Sequence, residues 1–301
     1  MKRKVVKQGA ATLTISLPLG WAKKFKLDSG DELEVDERGN DLLVSAVKSK
    51  VVSLRQLDLT DLDPLINRCF LSLYINGHDE VKFTFKNPEL IKQVQKVCGE
   101  LIGFEIVEAG RSYCIVKQIA AETEQDFDVI IRRLYLLLKG IFEDGAKVIS
   151  EKKNEASLNA LIARDLDVNK FSNFCLRHLN KKGYKDYSKT LNIYSVILTL
   201  EQTGDCLKDF FNHILQANVP SKQVIDYYRD VSGLFSLCYE FTFDTNRIKA
   251  KQIAKKYDSL KKELMSALDS ADKEQVKYLM LMKVLVEKVI LIDGLQLGYV
   301  D

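Results

Sequence analysis

Two sets of side chains in this 301-residue chain are spaced so that they could do chemistry. The first is cationic. Lys2, Arg3, Lys4, Lys7, Lys23, Lys24 and Lys26 all precede the first acid, Asp28. Cations without interleaved carboxylates suit a polyanion such as nucleic acid, because each phosphate they neutralise releases a condensed counterion. The same run serves as a solvated, solubilising face, which is the commoner use of such charge. The second set is anionic. Glu201 and Asp205 stand four residues apart, and on a helix that spacing puts both carboxylates on one face, with Asp209 extending the stripe. Like charges so placed repel by ~0.2–0.5 kcal/mol unless something neutralises them. Glu240 and Asp244 repeat the spacing, so the pair by itself also reads as two solvated acids.

Little else in the chain points to catalysis. Six cysteines, Cys69, Cys98, Cys114, Cys175, Cys206 and Cys238, are scattered with no CxxC pair, the usage of reduced, buried thiols. The three histidines, His78, His178 and His213, lie in no HExxH or triad-like context, and neither GxGxxG nor GxxxxGK[ST] occurs. The expectation is a protein that is not an enzyme. With 46% hydrophobic and 29% charged residues, disorder and fibrous repeats are excluded. The most apolar stretch, Tyr278 to Ile292, is broken by Lys283, Glu287 and Lys288, so no membrane insertion is expected. The N-terminus has no apolar run behind its charges, and the chain reads as soluble and cytoplasmic.

The elements that must carry these residues fall into three parts: 1–50, 51–119 and 120–301. Residues 1–50 hold ten Lys/Arg against seven Asp/Glu, and the remainder is balanced. Lys4–Gln8, Thr12–Leu17, Glu32–Val35 and Leu42–Val44 read as short strands, Leu13, Ile15 and Leu17 sharing one face and Thr12, Thr14 and Ser16 the other. Turns are expected at Gly9-Ala10-Ala11, Asp28-Ser29-Gly30 and Arg38-Gly39-Asn40-Asp41. Pro18 is placed to open a short helix through Phe25 from its first turn. Fifty residues in four short strands bury little core alone, which implies two copies sharing one core.

Lys7-Gln8-Gly9, Thr12 to Ser16, Leu17-Pro18, Trp21-Ala22-Lys23-Lys24, Leu27 and Gly30-Asp31-Glu32-Leu33-Glu34-Val35 together resemble the AbrB/MazE (SpoVT-AbrB) swapped-hairpin family over about residues 2–48. The resemblance implies an intertwined homodimer closing a β-barrel and binding DNA. Arg3, Lys4, Lys7, Lys23 and Lys24 become its phosphate contacts, with Trp21 the core plug of the short helix. DNA-binding members often carry an arginine after the turn glycine, where this chain has Ala10, Ala11 and Thr12, a departure that bears on base readout more than on dimerisation.

Residues 51–119 read as a small α+β linker domain, with helices over Leu62–Ile75 and Pro88–Ile102 and strands over Val81–Phe85, Phe104–Glu108 and Tyr113–Lys117. It shows no site chemistry and reads as a packing and spacing layer.

Beyond Ala121 the pattern is helical over 122–153, 155–182, 187–217, 221–243, 246–269 and 271–299, with breaks at Gly183, Val219-Pro220, Asp244-Thr245-Asn246 and Asp269-Ser270. Ile193, Ile197, Leu200, Gly204, Leu207, Phe211 and Ile214 form a 4-3 seam, and long helices on short turns make an antiparallel bundle. A faint repeat relates Ala163–Asp167 to Ala254–Asp258. Leu200-Glu201-Gln202-Thr203-Gly204-Asp205, Asp165-Leu166-Asp167 with Arg177-His178-Leu179, and Phe243-Asp244 leading to Ala250 resemble PhoU-like proteins, six-helix bundles of two three-helix repeats. The whole is similar to archaeal PhoU-like phosphate uptake regulators with an N-terminal AbrB-like domain. The resulting fold class is multidomain α+β.

That resemblance implies a dimeric DNA-binding transcriptional regulator of phosphate uptake. The alternative is an adaptor that binds no DNA and docks on a phosphate ABC transporter or its sensor kinase. It also implies a divalent or ferric metal ion at Glu201 and Asp205, where oxygen ligands suit iron, manganese, magnesium or zinc. The second half departs: aligning Glu287 on Glu201 puts Leu291 where Asp205 stands, and Asp293 does not restore the pair.

Overall fold

A computed structural model describes residues 1–38, 41–46, 54–120, 124–151, 154–217 and 220–300. The chain divides into two compact units, Met1–Leu54 and Arg55–Asp301. It is mixed α+β with about 63% helix, so most of the buried surface is made between helices.

In the first unit the alternating residues form two antiparallel hairpins. β1 (Val6–Gln8) pairs with β2 (Thr12–Thr14) around Gly9, whose φ of +71° fits the turn. β3 (Leu33–Arg38) pairs with β4 (Asp41–Ala46) in a register that sets Leu33 opposite Ala46 and Val35 opposite Val44, so these four share one face. The expected turn residues Gly39 and Asn40 lie outside the described residues. The first hairpin is shorter than the alternation of Lys4–Gln8 and Thr12–Leu17 suggests. Pro18 also departs from its expected place. It stands just ahead of the helix α1 (Leu19–Lys24) with extended ψ of 121°, and its carbonyl accepts the Ala22 N–H at 3.0 Å. The hairpins remain two separate two-stranded sheets, so among the described residues one chain closes no barrel.

The second unit opens with a four-stranded sheet: β5 (Arg55–Asp58), β6 (Glu80–Thr84), β7 (Phe104–Ala109) and β8 (Tyr113–Gln118), in the order β5-β6-β8-β7. β5 and β6 run parallel, joined through the helix α2 (Ile66–Ile75), and the other pairings are antiparallel. β5 escapes sequence reading because an edge strand with one apolar residue, Leu57, carries no alternation to detect. α2 begins four residues later than expected, since a residue before proline avoids helical geometry and Pro64 therefore keeps Asp63 out of the helix. With α3 (Leu90–Gly99), α2 covers the sheet over a core of Ile66, Phe70, Tyr74, Val81, Phe83, Val94, Phe104 and Val116.

The helices follow as α4 (Glu124–Val148), α5 (Glu155–Ala163), α6 (Asp165–Lys182), α7 (Thr190–Gln216), α8 (Lys222–Phe243), α9 (Arg247–Ser270) and α10 (Lys273–Gly294). Four of these helices, α5, α8, α9 and α10, are capped by side chains that occupy otherwise unpaired first-turn amides: Asn154 accepts from Ser157, Ser221 from Val224, Asn246 from Lys249, and Asp272 from Glu274 and Gln275. Gly183, at φ +76°, ends α6. The single helix expected over 155–182 is instead two. The turn tightens at Arg164, whose N–H bonds to the Leu161 carbonyl at 3.2 Å while its guanidinium reaches Asp144 on α4 at 2.8 Å. Of the expected break at Val219-Pro220, Val219 lies outside the described residues.

Helix α7 packs on α4, α6 and α10; α8 packs on α4, α9 and α10. The seam read from sequence is the buried stripe of α7, with Ile197, Leu200, Leu207, Phe211 and Ile214 inside and Ile193 half-buried. No described helix is long and apolar enough to cross a membrane.

Candidate functional site

Three polar assemblies carry the residues singled out by type and spacing. In the first unit, Arg3 and Lys4 lead into β1, Lys7 lies on it, and Lys23 and Lys24 close the last turn of α1. All five are exposed, and none makes an ion pair among the described residues. Lys24 lies 5.5 Å from the Phe25 ring centroid. The register sets Lys7 opposite Leu13, on the same face of the hairpin. Its ammonium therefore reaches water along a stem that lies beside apolar surface. Leu13 (69%), Leu42 (60%) and Val35 (56%) are largely exposed in the single chain, and Trp21 is half-buried, its ring centroid 5.4 Å from that of Phe25.

The second assembly joins the sheet layer to the helices. Arg177 on α6 is fully buried and donates to the carbonyls of Tyr74 (2.6 Å) and His78 (3.0 Å), to Gln118 Oε1 (2.8 Å) and to Asp79. The guanidinium carbon sits 4.8 and 4.9 Å from the ring centroids of Tyr74 and Phe104. Lys181 reaches the same Asp79. As sequence, Arg177-His178 with Lys181-Lys182 is a basic cluster at a helix end. In the fold Arg177 and Lys181 are turned inward onto Asp79, and His178, 2% exposed, stacks on Phe127.

The third assembly is the acidic one. Glu201 and Asp205 do share a face of α7, as their spacing requires, and they meet Asp165 from the start of α6. Lys208 is bonded to both Asp205 and Asp165, at 2.7 Å from the latter, and Asn169 also donates to Asp165 Oδ2. Asp165 is 6% exposed and its Oδ1 has no hydrogen-bond partner. Burial pushes the Asp165 carboxyl up, opposed by Lys208. Glu201 is pushed up to about 7 by burial and then by the negative charges of Asp205 and Asp165. Lys208 is held well above the ordinary lysine range because its bonds to the two aspartates outweigh its burial.

This donor set does not fit a metal ion. A cation bridging Asp205 and Asp165 would have to displace the Lys208 ammonium already bonded to both. Among the described residues no three His, Cys, Asp or Glu side chains converge as ligands. In the other half, Glu287 is exposed and pairs with Lys283, Leu291 is 47% exposed, and Asp293 is buried in the bundle. Sequence reading missed Lys208, although a lysine three residues beyond Asp205 is a helix ion-pair spacing that could have found it.

No protein-family model matches the sequence, and it finds no match among curated proteins or solved structures.

Proposed function

We propose that the chain is a homodimeric DNA-binding regulator of phosphate uptake, with an AbrB/MazE-like N-terminal domain, an α+β linker layer and a PhoU-like helical domain. The observation that carries the reading is the first unit, which combines exposed apolar hairpin faces with exposed cations that make no ion pair among the described residues. Leu13, Ile15, Val35 and Leu42 are each more than half exposed. A small sheet in that state gains by covering those faces with a second copy, at ~25 cal/mol per Å² of apolar surface removed from water. Dimerisation brings two sets of Arg3, Lys4, Lys23 and Lys24 into one body, the footprint a duplex backbone requires. The phosphate-uptake role comes from the resemblance of Leu200–Asp205 and its companion segments to PhoU-like proteins, as does docking on a transporter or sensor kinase.

Fluorescence anisotropy of the full chain tests the reading. One labelled duplex carries the region upstream of phosphate-transporter genes, and a shuffled duplex is the control. Binding should favour the first duplex and fall steeply with salt. Lys4→Glu should weaken both duplexes and flatten the salt slope by ~1 or more, since a phosphate contact contributes about one counterion. Weak binding that is equal on both duplexes and unmoved by Lys4→Glu would refute DNA recognition and favour the adaptor role.

A further inference from the structure

Helix α9 carries seven Lys and Arg against three Asp and Glu. Its buried residues, Ile253, Leu260, Leu264 and Ala267, define one side of it. At about 100° per residue, Lys251, Lys255 and Lys262 fall within about 20° of the line diametrically opposite, and all three are exposed. The partners of the helix's cations follow their position. On its flanks Lys249 pairs with Asp244, Lys256 pairs with Asp230 of α8, and Lys261 lies over the Tyr257 ring. The three lysines of the outward line make no ion pair or hydrogen bond among the described residues. They span about 16 Å of the axis at ~1.5 Å per residue. Between Lys251 and Met265 the outward face holds one acid, Asp258. The same face ends on an apolar side chain at each end, for Ile248 is 71% and Met265 45% exposed.

We propose that the outward face of α9 docks on an anionic lipid membrane, with Lys251, Lys255 and Lys262 on headgroup phosphates and Ile248 and Met265 entering the boundary between headgroups and acyl chains. The fit is one of charge complementarity. An ammonium on a long flexible stem meets laterally mobile phosphates without a fixed geometry, and each lysine near an anionic surface strengthens adsorption about fivefold. A nucleic-acid backbone meets the lysines equally well but leaves Ile248 and Met265 in water, and this face has no aromatic side chain to stack on a base. An acidic peptide is held best in a groove, whereas the outside of a surface helix is convex. Contact is peripheral, since no described helix is long and apolar enough to cross a membrane. Three cations and two apolar tips give reversible adsorption, not a stable anchor.

The test is cosedimentation of the full chain with vesicles at near-physiological salt. One set holds equal parts of phosphatidylglycerol and phosphatidylcholine, a second holds phosphatidylcholine alone, and a labelled DNA duplex is titrated in parallel. The chain should bind the anionic vesicles and not the neutral ones. Joint replacement Lys251→Gln, Lys255→Gln and Lys262→Gln should weaken vesicle binding about a hundredfold, at about fivefold per lysine, and leave the melting temperature unchanged because all three are exposed. The loss should persist when Arg3, Lys4 and Lys7 are also changed to Gln, which removes adsorption through the first unit. Asp258→Asn, which removes the acid from the face, should tighten binding, a gain that misfolding cannot produce. Ile248→Trp should add emission that shifts to the blue on anionic vesicles and not on the duplex. The proposal is overturned if anionic vesicles do not bind, if neutral vesicles bind equally well, or if the triple replacement leaves vesicle affinity unchanged. A triple variant that loses duplex affinity and keeps vesicle affinity assigns the face to nucleic acid instead. The proposal does not rest on the regulator reading, whose cations lie in the first unit, so the failure of one leaves the other standing.

Discussion

Replacing Arg177 by methionine removes one side chain from the joint between the sheet layer and the helices, and its effect can be worked from the contacts. Methionine fills much of the same volume and can lie between Tyr74 and Phe104, so the packing loss is small. Four acceptors each lose one charged donor. The Tyr74 and His78 carbonyls and Gln118 Oε1 were bonded at 2.6, 3.0 and 2.8 Å, and Asp79 was paired in addition. Asp79 is 41% exposed and keeps Lys181, so water and that lysine make up most of its loss. The Tyr74 carbonyl keeps the Gly77 N–H at 3.0 Å and Gln118 Oε1 keeps Lys181 at 3.2 Å, so each of these loses one bond to a charged donor, worth ~1.5–3 kcal/mol, while the His78 carbonyl is left unsatisfied at ~1–3 kcal/mol. Against this stands relief from burying the guanidinium itself, which for a whole ion pair replaced by apolar groups can reach ~1–4 kcal/mol. Because the acceptors stay behind, the balance falls at a loss of about 3 kcal/mol. For a unit of this size that is a fall in Tm of roughly 6–12 °C, at ~2–4 °C per kcal/mol. Arg177→Lys should recover only part of it, since a single ammonium cannot span acceptors held by a planar fork. Urea unfolding followed by circular dichroism reads the loss directly. A change below about 1 kcal/mol for Arg177→Met, or full recovery by lysine, would refute the account of Arg177 as a multidentate clamp.

Further expectations follow from other sites. A methyl group at Gly145 would lie 2.2 Å from the Tyr228 hydroxyl and 2.7 Å from Phe211, both fully buried, so Gly145→Ala should destabilise by ~1–3 kcal/mol in a denaturant melt despite its gain in helix propensity. The carboxyls of Glu201 and Asp293, raised to about 7 and about 6 chiefly by burial, bind protons more tightly folded than unfolded. The contribution of these two groups to stability should therefore be fully present below their ordinary values and decline as pH rises through those windows; Glu201→Gln should remove about 1–2 kcal/mol of that decline, measured as urea midpoint against pH, once solvent screening is discounted. Leu13→Glu places a charge on the exposed hairpin face and should convert a dimer to monomer in sedimentation velocity; an unchanged sedimentation coefficient would remove that face from the interface.

The elements of this protein are largely legible in its order of residues, because period and capping are local properties. Four helical boundaries lie within a few residues of their expected places, where Gly183 ends one helix and Ser221, Asn246 and Asp272 start three others. The alternation around Thr12–Thr14 and Leu33–Val35 marks strands for the same reason, and the charge asymmetry of the first residues needs no coordinates to be seen. β5 is invisible in sequence because its stability comes from backbone pairing with β6 across more than twenty residues, and its side chains contribute one leucine. The break at Arg164 is decided by a partner, Asp144, on another helix. The site residues divide in the same way. The shared face of Glu201 and Asp205 follows from helical geometry alone, whereas their meaning depends on Asp165 and Lys208, brought to them by the packing of α6 on α7. Arg177 is the sharpest case: by type and position it reads as a cation at a helix end, and only tertiary contacts with Tyr74, His78, Asp79 and Gln118 turn it into the buried joint of the second unit. Local periodicity is encoded within one turn of chain. The charge balance of an interior is a sum over segments a hundred residues apart, and folding alone brings its terms together.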